Sequence, residues 1–264
     1  MKNIFSFSLL ICILLFSCTK KSTIENELDS LNLFSKNFNS VDTTFYKNKK
    51  IKNLRFYKSK SNYINVSFYE SGKKQSIGEV KNSQCHNEYI DWYENGERKW
   101  VRNYDLGNQI GKNIEFRENG KIEKQFDNDK NESTDYWENG NPKFKFIENV
   151  LQYYYYSNGN LMEQYDKVNS EESFVKYLSE NGEIIFSGYY KGRILFKNNE
   201  KFNGTITCYF NNGKISHFEK VVNGIPDGKF YSYYGNGILK FEGKIENKKM
   251  IYYKSYSDDG KLTE

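Results

Sequence analysis

Nine glycines recur along the chain from residue 72 onward, and they set the repeat of the whole sequence. They are Gly72, Gly96, Gly120, Gly140, Gly159, Gly182, Gly213, Gly237 and Gly260, with a modal spacing of 23 to 24 residues. Seven of them follow Asn, one follows Ser71 and one follows Asp259. These residue types accept turn and left-handed backbone geometry. A fixed period marked by turn residues predicts a repeat protein built from β-hairpins.

Side chains on both sides of each glycine decide between two hairpin turns. The residue three before each Asn-equivalent is always large and apolar: Phe68, Trp92, Phe116, Tyr136, Tyr155, Leu178, Tyr209, Tyr233 and Tyr256. Two residues after six of the glycines come aliphatics: Ile122, Leu161, Ile184, Ile215, Leu239 and Leu262. A two-residue type I′ turn would send the two sets to opposite faces of the sheet. A three-residue loop with glycine as a G1 bulge pairs them instead, so we predict the bulged loop and a shared core face.

A second aromatic row precedes the Asn-equivalent by two residues in six units. Its members are Tyr69, Tyr93, Trp137, Tyr156, Phe210 and Tyr234. The bulged register places this row on the polar face of the sheet. There the rings either stack across strands and stiffen a thin sheet or form a binding stripe. These six residues are the candidate binding stripe.

Composition supports a thin sheet and argues against a nucleic-acid partner. Aromatic residues make up 17% of the chain while only 37% of residues are hydrophobic, so apolar area comes mainly from rings. The 39 basic and 34 acidic residues are spread evenly, without the clustered basic patch of a nucleic-acid-binding protein. We predict an all-β fold, an elongated antiparallel sheet of about nine stacked hairpins that extends ~85 Å.

The N-terminus has the pattern of a signal peptide. Lys2 is followed by an apolar run from Ile4 to Phe16, which is too short to span a bilayer unaided. Leu15-Phe16-Ser17-Cys18 resembles the lipobox of bacterial lipoproteins, which implies cleavage before Cys18 and lipidation of that residue, although Phe16 is bulkier than the usual occupant. A plain secretory signal and an uncleaved anchor are the alternatives. We expect anchoring to a membrane of the bacterial cell envelope, the outer membrane.

Three segments follow from these patterns: a signal peptide at 1–17, a tether at 18–44 that either stays extended or forms a short helix, and a repeat domain at 45–264. The stretch from Phe45 to Ile51 is similar to a first hairpin unit that has lost its glycine, as expected of a terminal cap. An extra or damaged hairpin is expected near Lys191 to Phe196, inside the 31-residue gap before Gly213.

Two units carry a second pair of glycines, Gly107 with Gly111 and Gly224 with Gly228. With the aromatic strand and the Asn-Gly turn that follow, they resemble bacterial MORN-variant repeats over about three quarters of the chain. The resemblance implies stacked hairpins. Because some MORN-variant proteins are grouped with toxin–antitoxin or immunity systems, it also implies an antitoxin-like role as one version of protein binding.

No residue pattern indicates catalysis, a metal site or a cofactor. Cys85 and His86 are adjacent, and neighbours in a strand point to opposite faces, so we do not expect a thiol–imidazole pair. We expect Cys85 and Cys208 to stay unpaired, because about five repeats separate them. The leading interpretation is a non-enzymatic, lipid-anchored scaffold that binds an unidentified protein. The alternatives are binding of membrane lipid or cell-wall glycan by the sheet, and an unrecognised enzyme.

Overall fold

The computed structural model describes residues 38–264, and these residues form 22 β-strands. The signal peptide, Cys18 and most of the predicted tether lie outside the described residues. The strands are β1 (Ser40–Phe45), β2 (Ile51–Ser59), β3 (Asn62–Phe68), β4 (Lys74–Lys81), β5 (Gln84–Trp92), β6 (Arg98–Asp105), β7 (Asn108–Gln109), β8 (Lys112–Phe116), β9 (Ile122–Asp127), β10 (Glu132–Tyr136), β11 (Pro142–Ile147), β12 (Leu151–Tyr155), β13 (Leu161–Lys167), β14 (Glu172–Leu178), β15 (Ile184–Lys191), β16 (Ile194–Lys197), β17 (Glu200–Lys201), β18 (Gly204–Tyr209), β19 (Ile215–Val222), β20 (Ile225–Tyr233), β21 (Leu239–Glu246) and β22 (Lys249–Ser255).

Strands pair antiparallel with their neighbours in sequence, which makes the fold a long meander. A 17-stranded sheet holds β1 to β17 and a 5-stranded sheet holds β18 to β22. The short strand β7 is a local excursion, because β6 also pairs directly with β8. The predicted all-β, elongated sheet of stacked hairpins is confirmed. The described residues contain no helix long and apolar enough to cross a membrane.

The bulged turn is the geometry of every Gly-centred hairpin. In the unit of Gly96, Trp92 pairs directly with Arg98 and the register shifts just before Trp92. The Gly96 amide donates to the Tyr93 carbonyl at 3.0 Å, and the Tyr93 amide donates to the Glu97 carbonyl at 2.8 Å. Gly96 has a φ of 99°, in the left-handed region that glycine occupies without steric cost. The corresponding pairs of the other units are Phe68–Lys74, Phe116–Ile122, Tyr136–Pro142, Tyr155–Leu161, Leu178–Ile184, Tyr209–Ile215, Tyr233–Leu239 and Tyr256–Leu262.

A tenth hairpin of the same kind precedes the nine. Phe45 pairs with Ile51 across a register shift, and Lys49 occupies the glycine position with a φ of 66°. The unit between Phe45 and Ile51 therefore folds as predicted, with a side chain where the later units have none. Its first strand begins at Ser40, five residues before the predicted domain boundary.

Type I′ turns, which we rejected for the Asn-Gly sites, do occur at the other end of the hairpins. Both central residues of such a turn have positive φ. Asn82 and Ser83 have φ values of 52° and 64°, and Asn247 and Lys248 have 50° and 63°. The first pair links β4 to β5 and the second links β21 to β22. One edge of the repeat row thus carries bulged turns, and the other carries these two-residue turns together with longer loops, such as the four residues between Asp127 and Glu132.

The second sheet lies over the first, in contrast to the single row of hairpins expected from the sequence. Tyr177 on β14 stacks on His217 of β19, with ring centres 4.6 Å apart. Two strands earlier, the Ser157 amide after β12 donates to the Gly235 carbonyl at 3.1 Å. Gly235 is required here, because a Cβ atom would come within 2.5 Å of the Tyr155 carbonyl oxygen. β16 and β17 form the extra hairpin that was expected in the 31-residue gap before Gly213. After this hairpin the chain folds back, and β18 begins the second sheet.

Two apolar clusters form the core. The larger lies between the sheets and contains Val175, Tyr177, Phe186, Leu195, Ile206, Cys208 and Val221. The smaller contains Leu54, Phe56, Ile64, Val66 and Phe68, near the N-terminal end of the first sheet. Not every predicted core position is buried: Tyr209, Ile184 and Leu262 are 45%, 57% and 63% exposed. For these three the prediction of burial was wrong.

Candidate functional site

The candidate binding stripe is largely tied into the sheet by its own hydroxyl groups. Each of four tyrosines donates a hydrogen bond to the backbone carbonyl of the aromatic or aliphatic core residue in the next repeat. The bonds are Tyr69 to Trp92 at 2.7 Å, Tyr93 to Phe116 at 2.8 Å, Tyr156 to Leu178 at 2.8 Å and Tyr234 to Tyr256 at 2.8 Å. Partners lie 22 or 23 residues apart, one repeat. These four side chains form a tyrosine ladder along the row of bulged turns.

The ladder extends beyond the predicted stripe. Tyr46 of the first hairpin donates to the Phe68 carbonyl at 2.7 Å. In the unit of Gly120 the position is occupied by Arg117, whose guanidinium donates to the Tyr136 carbonyl at 2.8 Å. An arginine can therefore replace a tyrosine in this contact, whereas Trp137, Ser179 and Phe210, which occupy the same position in other units, do not make it.

The turn asparagines form a second set of contacts between repeats. The Asn95 side-chain oxygen accepts from the Glu97 amide within its own turn at 2.9 Å, and its Nδ2 donates to the Glu118 carbonyl of the next turn at 2.6 Å. The same pair of bonds recurs at Asn139, Asn158 and Asn236. Asparagine at the turn thus serves both local geometry and repeat stacking.

Two stripe members are buried. Tyr156 is 0% exposed and Trp137 is 7% exposed. Phe210 packs edge-on against Tyr156, with ring centres 5.6 Å apart. The six residues thus do not form one continuous exposed stripe, because the covering sheet reaches some of them. Trp137 and Tyr234 instead meet at a cavity between the sheets.

This inter-sheet cavity of about 230 Å³ has aromatic walls and two lysines. It is lined by side chains from β10 to β13 on one side and from β20 and β21 on the other, including Trp137, Phe144, Tyr154, Tyr234, Lys143 and Lys240. The Lys240 ammonium lies 3.5 Å from the centre of the Tyr154 ring. The Lys143 ammonium lies 5.3 Å from the Trp137 ring and 5.6 Å from the Tyr234 ring. These are cation–π distances.

Two polar groups at the cavity make no hydrogen bond inside the protein, although one of them, Asp135 Oδ1, lies 3.6 Å from the Lys124 ammonium. Trp137 Nε1 is buried and donates no hydrogen bond, and Asp135 Oδ1 is buried and accepts none. Lys143 forms an ion pair with Asp258, whereas Lys240 has contacts only with rings and a longer-range attraction to Glu163. Burial lowers the pKa of Lys240, the Glu163 charge partly offsets this, and the Lys143 charge adds a smaller lowering.

A second polar cluster is enclosed between the sheets. The Ser232 hydroxyl donates to a Glu163 carboxylate oxygen at 3.3 Å, and His217 Nε2 lies 3.9 Å from a Glu219 oxygen. Burial raises the pKa of Glu219 to about 7, with a further rise from the nearby Glu163 charge. Burial lowers the pKa of His217. Sequence reasoning missed this cluster, although Glu163 and His217 each stand four residues after a turn glycine and so share a strand face with the predicted core residue two after it.

The cysteines and the other histidine are not brought together. His86 Nδ1 lies 3.4 Å from Asp105. Cys85 and Cys208 are both free thiols, and burial raises the pKa of Cys208 to about 12. Between residues 38 and 264, no group of three or more His, Cys, Asp or Glu side chains is arranged to hold a metal ion.

No protein-family model and no curated protein matches the chain. Two solved structures show similarity to parts of it. "Crystal Structure of TarM" is 13% identical over 49% of this chain and 27% of the other, with a TM-score of 0.27. "Crystal Structure of TcdB2-TccC3-Cdc42" is 10% identical over 84% of this chain and 14% of the other, with a TM-score of 0.18. The chain spans about a quarter and a seventh of these proteins.

Proposed function

We propose that this chain is a MORN-variant repeat protein that acts as a non-enzymatic, lipid-anchored scaffold of the cell envelope and binds a protein partner at strand β22. One observation carries the proposal. In the described part of the chain β21 is the one strand that pairs with β22, and on the outer edge of β22 Ser255 alone is bonded, to Thr263 and Glu264. The residues before it, Met250, Ile251, Tyr252 and Tyr253, are 54%, 54%, 36% and 39% exposed. Successive side chains of a strand point to opposite faces, so β22 offers apolar side chains on both faces.

Proteins usually protect such an edge with charges, proline or a bulge. β22 has part of this protection, because Lys249 and Lys254 lie near its ends and its pairing register with β21 shifts between Lys244 and Ile245, but the four residues between the lysines are apolar or aromatic. An extended segment of a partner could pair with the free backbone edge of β22 and place alternate side chains against its apolar residues. Lys248, Lys249 and Lys254 flank these residues, so the partner segment that fits best alternates apolar and acidic residues.

The absence of an enzymatic role is part of the proposal. The enclosed cluster of Glu163, His217 and Glu219 is covered by two sheets, so its groups do not line an open cleft, as an active site requires. The repeat ladders of tyrosine and asparagine support the assignment to MORN-variant repeats, since they recur once per unit. The lipid anchor, the outer membrane location and the antitoxin-like version stay predictions from residues 1–18 and from the resemblance.

Capture of partners from detergent-solubilised native membranes tests the β22 surface. Bait proteins are the full chain, Ile251→Lys with Tyr253→Lys, and the matched control Phe45→Lys, which changes a 58% exposed ring at the other end of the array. We expect the double variant to lose protein partners that wild type and control retain. Identical partner sets for all three baits would reject β22 as the binding surface.

Anchoring is tested separately with Cys18→Ser. Loss of partition into the detergent phase of Triton X-114 is expected if Cys18 carries the lipid, whereas unchanged partition would refute lipidation there. Glycan binding, the second role predicted from the sequence, draws its support from a different region, the inter-sheet cavity.

A further inference from the structure

The inter-sheet cavity contains donors that the protein itself leaves unused. Trp137 is 7% exposed, and its indole N–H has no hydrogen-bond partner. The Lys240 ammonium has no ion-pair partner among the described residues. Buried donors and charges without partners destabilise a fold. Lys240 is half-buried and is attracted at longer range by Glu163, whereas the Trp137 N–H is buried and has no acceptor. An acceptor that comes from outside explains this donor better than packing alone.

The positive charges that line the cavity favour an anionic ligand. Lys143 and Lys240 both line the cavity, and each holds its ammonium over aromatic rings, an arrangement that fixes the charge without neutralising it. Asp258 pairs with Lys143, and Glu163 attracts Lys240 without forming an ion pair with it, which leaves the Lys240 ammonium available to a ligand. Lys143, with a side chain 21% exposed, lies where the cavity meets solvent.

The other side chains that line the cavity indicate which kind of anion it can bind. Phe144, Tyr154 and Tyr234 provide ring faces, whose negative quadrupole attracts the weakly positive C–H face of a saturated ring. Asp135 Oδ1 accepts no hydrogen bond within the protein, although Lys124 lies 3.6 Å away, so it is suited to a hydroxyl donor. A volume of about 230 Å³ is below the roughly 300 to 1,000 Å³ of sites for drug-sized ligands, which limits the ligand to about one ring.

We propose that the inter-sheet cavity binds an acidic sugar, a single hydroxylated ring that carries a carboxylate. The carboxylate pairs with Lys240 and accepts from Trp137 Nε1, the hydroxyls donate to Asp135, and the ring face lies against the aromatic side chains. This proposal deepens the glycan-binding alternative and is independent of partner binding at β22. The ligand is either a free sugar acid or the terminal residue of a glycan.

Isothermal titration calorimetry with the full chain in detergent tests the site. Probes are glucuronate, glucose, benzoate and a disaccharide that ends in glucuronate. Glucose lacks the charge and benzoate lacks the hydroxyls, so we expect each to bind roughly tenfold or more weakly than glucuronate. Binding of the disaccharide at least as tight as that of glucuronate identifies a glycan terminus as the source, and preference for the monosaccharide identifies a free sugar acid.

Three variants test whether the heat of glucuronate binding comes from this cavity. Lys240→Met and Trp137→Phe should each weaken glucuronate binding by roughly tenfold. The matched control Lys176→Met removes a lysine that lies 5.5 Å from the Phe174 ring, outside the cavity, and should bind as wild type does. Melting temperatures verify that each variant is folded.

The site would be overturned if Lys240→Met and Trp137→Phe bound glucuronate about as tightly as the control and wild type do. It would also be overturned if wild type did not bind glucuronate. Benzoate binding as tight as glucuronate binding would overturn the sugar assignment. Since the β22 variant Ile251→Lys with Tyr253→Lys should bind glucuronate normally, failure here and failure of the partner-binding proposal are separate results.

Discussion

Removing one hydroxyl from the tyrosine ladder tests whether the ladder holds the repeats together. Tyr156 is 0% exposed, its hydroxyl donates to the Leu178 carbonyl at 2.8 Å, and it lies 2.9 Å from the Ser216 hydroxyl. Tyr156→Phe keeps the ring and leaves two buried polar groups with one partner fewer. An unsatisfied buried group costs about 1 to 3 kcal/mol, so we expect a loss of about 2 kcal/mol in the free energy of unfolding.

The measurement is urea unfolding followed by circular dichroism, with thermal unfolding in parallel. A change of 1 kcal/mol shifts the melting temperature of a domain of 150 to 250 residues by about 2 to 4 °C, so Tyr156→Phe should melt about 4 to 8 °C below wild type. Tyr69→Phe breaks the same bond at a half-buried position and should cost about 1 kcal/mol.

Tyr209→Phe is the control, because this ring is 45% exposed and occupies the neighbouring position of the hairpin. It should change stability by less than about 0.5 kcal/mol. If Tyr156→Phe is also within that range, the ladder does not stabilise the fold and the reasoning fails. A double-mutant cycle with Ser216→Ala should give a coupling of about 0.5 kcal/mol or more, because this contact joins the two sheets.

Three further predictions follow from backbone geometry and burial. Lys49→Gly should stabilise the first hairpin by about 1 kcal/mol in urea unfolding, because Lys49 has a φ of 66°, where a side chain is strained; a neutral or destabilising effect would contradict the argument. Gly235→Ala should destabilise by about 2 kcal/mol or more, since a Cβ atom would clash with the Tyr155 carbonyl oxygen at 2.5 Å, and wild-type stability would refute that close approach. Because the folded pKa of Glu219 is raised from 4.5 to about 7, its contribution is present below pH 4.5 and lost as pH rises through 7. The free energy of unfolding of wild type relative to Glu219→Gln should therefore fall by about 3 kcal/mol between pH 4.5 and 8. If the two proteins lose stability in parallel over this range, the pKa of Glu219 is not raised. Because both proteins contain His217, whose pKa is lowered, its opposite effect on stability cancels in the comparison.

Hairpin register was predictable because it depends on residues close in sequence. A ring such as Trp92 and its partner Arg98 are separated by one loop, and the side-chain period of a strand leaves only one turn that pairs such positions. The glycine-free first turn at Lys49 was identified for the same reason. The hydroxyl bond from Tyr69 to the Trp92 carbonyl was not foreseen, since sequence gives the row of rings but not where each terminal atom reaches.

Packing of the second sheet on the first was not predictable in the same way. A repeat period specifies contacts between neighbouring units, whereas the contact between Tyr177 and His217 joins units through the reversal of the chain. One sequence signal did exist. Glu163 and His217 interrupt the apolar core face four residues after Gly159 and Gly213, and buried polar residues on a core face indicate a polar partner layer rather than solvent alone.

The tyrosine ladder is interrupted where the sheet breaks, as it also is at Trp137 and Phe210 within the two sheets. In the unit of Gly182 the ladder position is Ser179, whose side chain is too short to reach the next repeat, and here the following hairpin belongs to the second sheet. The acceptor that a tyrosine would have used, the Tyr209 carbonyl, receives the Glu180 backbone amide at 3.0 Å. The Glu180 carboxylate in turn accepts from the Asn211 amide at 2.7 Å. The row of turns therefore continues across the break by backbone contacts while the strands separate into two layers, and it is this reversal that closes the inter-sheet cavity around Trp137 and Lys240.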